Sequence, residues 1–150
     1  MIVYRFAAAK YSRDISGEGS RLFGGRWNSK GNAVLYTSIT ISLSLLEMLI
    51  HSSSYDEIKA NVLVTIDVPE LHPGKIPVAG LTKNWQSDID YCRYIGDAFI
   101  TEKQSLLLKV PSVIVPEEHN LLINPAHPAF KKVKVLSAKK FAFDTRMFKN

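Results

Sequence analysis

Cysteine is nearly absent from this sequence, and no long run of apolar residues occurs in it. The single cysteine, Cys92, can neither form a disulfide within the chain nor build a cysteine-rich zinc site. The longest apolar stretch, Leu43 to Ile50, is interrupted by Ser44 and Glu47 and is far too short to span a bilayer. The first residues meet an arginine too soon to be typical of a signal peptide. We therefore expect a soluble protein of the cytoplasm with no membrane segment.

The composition is otherwise that of an ordinary soluble domain. Hydrophobic residues make up 46% and charged residues 22% of the 150 residues, so we expect a single domain with its own core over residues 1–150. The net charge of +5 favours acidic partners, but it does not choose among nucleotides, nucleic acid and acidic proteins.

Basic residues crowd the end of the chain, where they are opposed only by Asp144. They are Lys131, Lys132, Lys134, Lys139, Lys140, Arg146 and Lys149. A solvated face on a terminal strand is the favoured interpretation, because charge runs usually form such faces. A nucleic-acid-binding module is the alternative, although no recognised nucleic-acid motif accompanies these charges.

Hydrophobic periodicity and the positions of glycine and proline predict strands and helices in mixed order. Thr40 or Ser38 can cap a helix that runs to about residue 53, and Asp88 can cap a second helix over about 87–101. The predicted strands cover 2–8, 33–37, 61–68, 106–110, 113–115 and 133–143. This order indicates an α+β fold, a compact domain with a curved mixed sheet and flanking helices.

A glycine-rich loop over 16–32 separates the first two predicted strands. Four of its glycines lie within nine positions, which indicates backbone with positive φ or close approach to another group. Arg26 lies between Gly25 and Trp27, and its planar fork suits a phosphate group. The loop matches neither a Walker motif nor a dinucleotide-binding G-x-G-x-x-G motif.

Glu47 is the most informative single residue, because it lies in a predicted helix that is apolar nearly all round and therefore buried. A buried carboxylate is costly unless it is paired or hydrogen-bonded. Either an arginine or backbone amides satisfy it in the core, or it serves a function, and the pattern alone leaves both open. His51 lies four residues later on the same helix face.

Other polar residues have both structural and functional interpretations. Tyr36 is either a half-buried sheet tyrosine or a stacking surface. Arg5 is an unusual charge between Tyr4 and Phe6, for which a strand-edge salt bridge is the structural interpretation. Ser105 and Ser112 lack the G-x-S-x-G context of a serine hydrolase. No set of histidines and acids has metal-ligand spacing, so we expect no metal.

Several segments, taken in this order along nearly the whole chain, resemble the RES domain, which is named for a characteristic arginine, glutamate and serine. The segment Gly24-Gly25-Arg26-Trp27-Asn28 is the most specific of them. The complete set is Tyr4–Phe6, Ser16–Asn28, Val34–Thr37, Leu45–His51, Gly96–Asp97, Ser105–Ser112 and Asn120–Pro128.

The resemblance implies the toxin of a RES–Xre toxin–antitoxin pair, with a fold similar to ADP-ribosyltransferases of the diphtheria-toxin kind. Such toxins use NAD as a substrate rather than a prosthetic group, break its nicotinamide–ribose bond and arrest growth. The acceptor of the ADP-ribose stays open among water, phosphate and a protein. The implied partner is an Xre-like antitoxin, through which alone the toxin would contact DNA.

The resemblance also implies roles for particular residues. Glu47 and Arg26 would be catalytic, with Glu47 stabilising the positive charge that develops on the ribose. The implied NAD-binding residues are Arg5, Arg26, Tyr36, His51, Ser105 and Ser112. Arg26 and Arg5 would hold the pyrophosphate, and Tyr36 would stack against nicotinamide. Of the two serines, Ser105 is favoured for the pocket.

Overall fold

The computed structural model describes residues 1–148, which form a seven-stranded mixed sheet with four α-helices. The strands are β1 Ile2–Ala8, β2 Leu35–Ser38, β3 Asn61–Asp67, β4 Gly74–Lys75, β5 Leu107–Pro111, β6 His119–Ile123 and β7 Lys134–Lys140. The helices are α1 Glu18–Phe23, α2 Ile41–His51, α3 Tyr55–Lys59 and α4 Ile89–Glu102. Short 3₁₀ turns cover Ala9–Tyr11, Val78–Gly80, Pro128–Lys132 and Thr145–Phe148. The predicted α+β class is confirmed.

The strand order in the sheet is β4-β5-β6-β2-β1-β3-β7. Only β4 and β5 run parallel, and all other neighbouring pairs are antiparallel. The longest pairing aligns β1 with β3 from Ile2 opposite Asp67 to Ala8 opposite Asn61. This order places β1 and β2 at the centre of the sheet, although a long loop separates them in sequence.

Side chains that alternate along the central strands pack into two apolar clusters, one on each face of the sheet. On β6, Leu121 and Ile123 belong to one cluster, whereas Leu122 between them belongs to the other. The second cluster contains Trp27 from the glycine-rich loop and Cys92 from α4. The loop is therefore anchored to the sheet through buried aromatic packing.

Both predicted helix caps are present. The Thr40 side chain accepts a hydrogen bond from the Leu43 backbone amide at 3.1 Å, and the Asp88 side chain accepts one from Tyr91 at 3.0 Å. Of the two residues considered for the first cap, Thr40 fills the position and Ser38 ends β2. Across residues 1–148, no helix is both long and apolar enough to cross a membrane.

The predicted strand over 113–115 is wrong, because these residues form the bend between β5 and β6. The Ser112 amide donates to the Glu118 carbonyl at 3.0 Å, and the Glu118 amide donates to the Val115 carbonyl at 2.9 Å, which closes the turn. The return strand is β6, which the sequence did not predict. It pairs with both β5 and β2.

The expectation that α2 is buried all round is also wrong. The helix packs on β1 and β2 with one face, and its other face leaves Leu46 40% and Ile50 67% exposed. Only one face of this apolar helix is therefore covered by the sheet.

The basic residues near the end of the chain lie on the surface. β7 forms one edge of the sheet, and Lys134, Lys139 and Lys140 on it are exposed. This agrees with a solvated face on a terminal strand. Lys149, predicted to belong to the same group, lies outside the described residues.

Candidate active site

A cavity of about 760 Å³ opens between the glycine-rich loop, α2, α4 and the central strands. Five of the predicted site residues line it: Arg5, Arg26, Tyr36, Glu47 and His51. They come from β1, the loop, β2 and α2, so the sheet order brings together residues that are far apart in sequence.

Glu47 is held by neutral donors rather than by a cation. Its Oε1 accepts hydrogen bonds from Ser112 Oγ at 3.0 Å and Asn120 Nδ2 at 2.5 Å. Its Oε2 lies 3.9 Å from Nε2 of His51, whose side chain is 80% exposed. Within residues 1–148, Glu47 has no arginine or lysine ion pair, and its side chain is 25% exposed. The carboxylate is therefore at the cavity surface, not sealed in the core.

Ser112, rather than Ser105, reaches the candidate site. The Ser105 hydroxyl donates to the Leu107 carbonyl at 2.8 Å and accepts from the Leu107 amide at 3.3 Å, so both of its interactions are local. Ser105 does not line the cavity. Ser112 does not line it directly either, but it holds Glu47. The preference for Ser105 is corrected by this geometry.

Arg5 and Arg26 each use one side of the guanidinium to bind a backbone carbonyl. Arg5 Nη1 donates to the Asp14 carbonyl at 3.3 Å, and Arg26 Nη1 donates to the Gln86 carbonyl at 2.7 Å. Burial lowers the pKa of Arg5, and the charge of Asp14 partly opposes that effect. Arg5 lies on a central strand, so a strand-edge salt bridge does not account for it.

The Tyr36 hydroxyl anchors the glycine-rich loop. It accepts from the Trp27 amide at 2.9 Å and donates to Asn28 Oδ1 at 2.7 Å. Burial raises the pKa of this phenol well above its ordinary value, so the hydroxyl stays protonated and keeps its donor. A Cβ on Gly25 would lie 2.6 Å from the Tyr36 hydroxyl oxygen, which explains a residue without a side chain there. The Tyr36 ring is left to line the cavity.

A third arginine, Arg93 on α4, also lines the cavity and was missed by the sequence analysis. Its Nε donates to the Gly25 carbonyl at 2.9 Å. One turn later, Asp97 accepts from the Ser29 amide at 2.9 Å and the Ser29 hydroxyl at 2.6 Å. Burial raises the pKa of Asp97, but the hydrogen bonds from Ser29 offset this and hold that pKa below its ordinary value. The only sequence signal was the position of Arg93 just before the Gly96–Asp97 segment.

The charges around the cavity favour an anion. Three guanidinium groups line it, from Arg5, Arg26 and Arg93, against the carboxylates of Glu47 and Glu57. Arginine forks suit phosphate oxygens, and partial enclosure strengthens the interaction. Within residues 1–148, no three histidine, cysteine, aspartate or glutamate side chains are grouped to hold a metal ion.

The fold and this cavity define an α+β protein with an arginine-rich cleft that holds one carboxylate between neutral donors. The chain belongs to the RES domain family, whose sequence model matches residues 2–145. The resemblance noted from the sequence is thereby confirmed.

Two relatives show the extent of the similarity. The chain is 37% identical over 150 residues to "Prs ADP-ribosylating toxin" of Sphingobium sp. (strain YBL2), covering 91% of this chain and 88% of that protein. It is 33% identical over 153 residues to "Toxin Res" of Photorhabdus laumondii, covering 99% of this chain and 98% of that protein.

The fold is also similar to that of a chain in the crystal structure of the M. tuberculosis MbcT–MbcA toxin–antitoxin complex. The TM-score is 0.75 at 21% identity, covering 94% of this chain and 84% of that chain. The similarity establishes a shared fold across almost the whole chain.

Proposed function

We propose that this protein is the toxin of a toxin–antitoxin pair and that it cleaves cytoplasmic NAD at the bond between nicotinamide and ribose. The observation that carries the proposal is the placement of Glu47, which faces a cavity lined by three arginines while its Oε1 is held by Ser112 and Asn120. The name of one relative, "Prs ADP-ribosylating toxin", supports this class of activity, and the name of another, "Toxin Res", supports the role of a toxin.

The cavity suits the two ends of NAD differently. Arg5 and Arg26 retain guanidinium N–H groups beyond those that bind backbone carbonyls, and these would bind the two negative charges of the pyrophosphate. The Tyr36 ring would stack against the flat nicotinamide, since its hydroxyl is already used by the loop. Glu47 and His51 would lie at the ribose between them.

The proposed reaction breaks the C1′–N bond of the nicotinamide ribose, and its electron pair leaves with the nicotinamide nitrogen, which becomes neutral. Positive charge develops on the ribose as an oxocarbenium ion, as in glycoside hydrolysis. The Glu47 carboxylate would stabilise this cation across the cavity. Water then adds at C1′ and loses a proton, so NAD and water give nicotinamide, ADP-ribose and a proton. Phosphate in place of water would give ADP-ribose 1″-phosphate instead.

A second candidate function is transfer of ADP-ribose to a protein. The specific observation in its favour is the 37% identity to a protein named "Prs ADP-ribosylating toxin". The same bond would break and the same carboxylate would act, but a nucleophilic side chain of the target would take the place of water at C1′. The two functions differ only in the acceptor.

Purified protein, freed of any partner, should release nicotinamide from NAD without added metal. Mass spectrometry of the products in water, in phosphate buffer and in cell extract identifies the acceptor as water, phosphate or a protein. Radiolabel from NAD that appears on one protein band, with little free ADP-ribose, would favour the transferase function. NAD that stays intact under all three conditions would contradict both functions.

We also propose that an Xre-like DNA-binding antitoxin restrains this activity by covering the cleft, and that the toxin contacts DNA only through it. The exposed Ile50 side chain lines the cavity on α2 and offers an apolar contact beside the arginines. An acidic segment of the antitoxin would place a carboxylate where the pyrophosphate binds, and the net charge of +5 would favour the encounter.

Expression of the toxin alone should therefore arrest growth and lower cellular NAD, and co-expression of the antitoxin should restore both. In calorimetric titrations, NAD should compete with the antitoxin, and Arg26→Ala should weaken antitoxin binding. Arg13→Ala is the matched control, because Arg13 is exposed and outside the cavity. A complex that cleaves NAD at the rate of the free toxin would rule out occlusion and leave the enzymatic proposal standing.

A further inference from the structure

Asn120 connects the Glu47 carboxylate to the centre of the sheet. It lies near the start of β6, where the register places it opposite Ser38 of β2 and Val110 of β5. Its Nδ2 donates to Glu47 Oε1 at 2.5 Å, and its Oδ1 accepts from the Ser38 hydroxyl at 2.7 Å. Neither side chain stands out in the sequence, where Ser38 is only a candidate helix cap.

The Glu47 carboxylate fixes which end of the Asn120 amide faces it, and Ser38 holds the other end. A carboxylate can only accept hydrogen bonds, so the amide must present its nitrogen to Glu47 and its oxygen to a donor. The hydroxyl of Ser38, a residue that is only 3% exposed, supplies that donor. Were the amide reversed, its oxygen would face the carboxylate, and the two acceptors would repel each other with no hydrogen between them. The Ser38 hydrogen bond therefore holds Oδ1 of Asn120 in place, and Nδ2 of Asn120 holds Glu47.

Ser112, which directly follows β5, donates a hydrogen bond to the same carboxylate oxygen. Its Oγ accepts from the backbone amides of Ile114 at 3.1 Å and Val115 at 3.2 Å, which leaves its hydroxyl hydrogen to donate to Glu47 Oε1. Both neutral donors thus bind Oε1, whereas Oε2 has no hydrogen bond within the described residues and lies 3.9 Å from Nε2 of His51. Oε2 is the oxygen left for a ligand in the cavity.

We propose that Asn120, held in place by Ser38, is a positioning residue that holds Glu47 with its Oε2 directed into the cavity, ready for the developing positive charge. This inference rests on the proposed function. The neutral amide of Asn120 holds the carboxylate without adding charge. A lysine or arginine in its place would neutralise the charge of Glu47, and an acid would share a proton with Glu47. The amide thus fixes the geometry of Glu47 and keeps its full negative charge for the reaction.

Asn120→Asp separates these two contributions, because it keeps the shape of the side chain and replaces the donor with a second carboxylate. Two carboxylates in hydrogen-bond contact cannot both ionise easily, so they retain a shared proton to higher pH. The other titratable or charged groups near Glu47 are unchanged by the substitution. They are His51 on α2 and, around the same cavity, Arg5, Arg26, Glu57 and Arg93.

The experiment compares the pH profiles of kcat and KM for nicotinamide release by wild type, Asn120→Asp, Asn120→Leu and Ser38→Ala. Asn120→Asp should move the acid limb of the kcat profile upward by about one pH unit or more. Asn120→Leu should lower kcat roughly 10- to 100-fold with little change in KM, because Glu47 is displaced while the arginines remain. Ser38→Ala should have a smaller effect in the same direction. Asn84→Asp, the same change on an exposed residue outside the cavity, should leave the profile unchanged.

A second readout does not depend on turnover. In wild type and Asn120→Asp labelled with ¹³C at glutamate carboxyl carbons, the Glu47 signal, identified by its absence in Glu47→Gln, should titrate at higher pH in the variant. If wild type releases no nicotinamide, the proposed function fails, and this titration still decides whether Asn120 controls the carboxylate. An unchanged Glu47 titration overturns the inference. So does a normal kcat profile in folded Asn120→Asp and Ser38→Ala proteins when wild type is active.

Discussion

Glu47→Gln is expected to lower kcat for NAD cleavage by roughly 10²-fold or more while the protein stays folded. The glutamine keeps the size of the side chain, and its Oε1 still accepts from Ser112 and Asn120 as the carboxylate does. The substitution removes the negative charge that would stabilise the cation on the ribose. Nicotinamide release at saturating NAD measures the effect, and thermal unfolding checks the fold.

Arg26→Ala provides the contrast, because it should raise KM as well as lower kcat. The variant loses a charge-assisted hydrogen-bonding group for the pyrophosphate, so NAD binds more weakly and KM rises. The ribose is then also held less firmly beside Glu47, which lowers kcat. Arg13→Ala again serves as the arginine control outside the cavity. A folded Glu47→Gln protein with wild-type kcat would remove the carboxylate from the mechanism, whatever Arg26→Ala does.

Gly96→Ala is expected to destabilise the protein by about 3 kcal/mol or more, because α4 touches the glycine-rich loop there. A Cβ on Gly96 would lie 1.7 Å from the Trp27 carbonyl oxygen and 2.6 Å from its carbonyl carbon. Both are backbone atoms, which cannot swing aside as a flexible side chain can, and the Trp27 ring is buried 5.9 Å from the Trp85 ring between centroids. In the variant, α4 must therefore move away from the glycine-rich loop. Urea unfolding of wild type and variant measures the loss of free energy.

Gly19→Ala is the matched control for this substitution. Gly19 lies in α1, and a Cβ there meets nothing within 4 Å. Alanine in a helix is favoured over glycine, so the free energy of unfolding should stay the same or rise by up to about 1 kcal/mol. Equal unfolding midpoints for Gly96→Ala and Gly19→Ala would contradict the close packing of α4 on Trp27. Any remaining folded Gly96→Ala protein should also bind NAD weakly, since α4 carries Arg93 into the cavity.

The amino-acid sequence by itself determined the features that depend on local chemistry. The positions of β1 and β3 were predicted from the local sequence, and side-chain oxygens before apolar runs gave the cap Asp88 and, as one of two candidates, the cap Thr40. The glycine-rich loop and the lone acid in the α2 run drew attention to Arg26 and Glu47 for physical reasons: glycine permits close approach, and a carboxylate among apolar residues requires partners.

Short or irregular elements were not predicted, because their local pattern is weak. The helix α3 has five residues and β4 has two, too few for periodicity to show. The helix α1 lies inside the glycine-rich loop, where glycines argue against a helix. The strand β6 follows a bend rich in proline and charge, and its pairing with β2 is a contact between distant parts of the chain.

The tertiary structure alone decided which polar groups surround Glu47. Ser112 and Asn120 lie 65 and 73 positions from Glu47 in sequence, and Arg93 and Gly25 are 68 apart. Periodicity reports which face of an element is apolar, but not which other element covers that face, so it left α2 apparently buried. The resemblance placed both Ser105 and Ser112 in one matching segment and could not tell which of them meets Glu47. The hydroxyl of Ser112 meets the carboxylate only because β5, β6 and β2 pair in one register across the centre of the sheet.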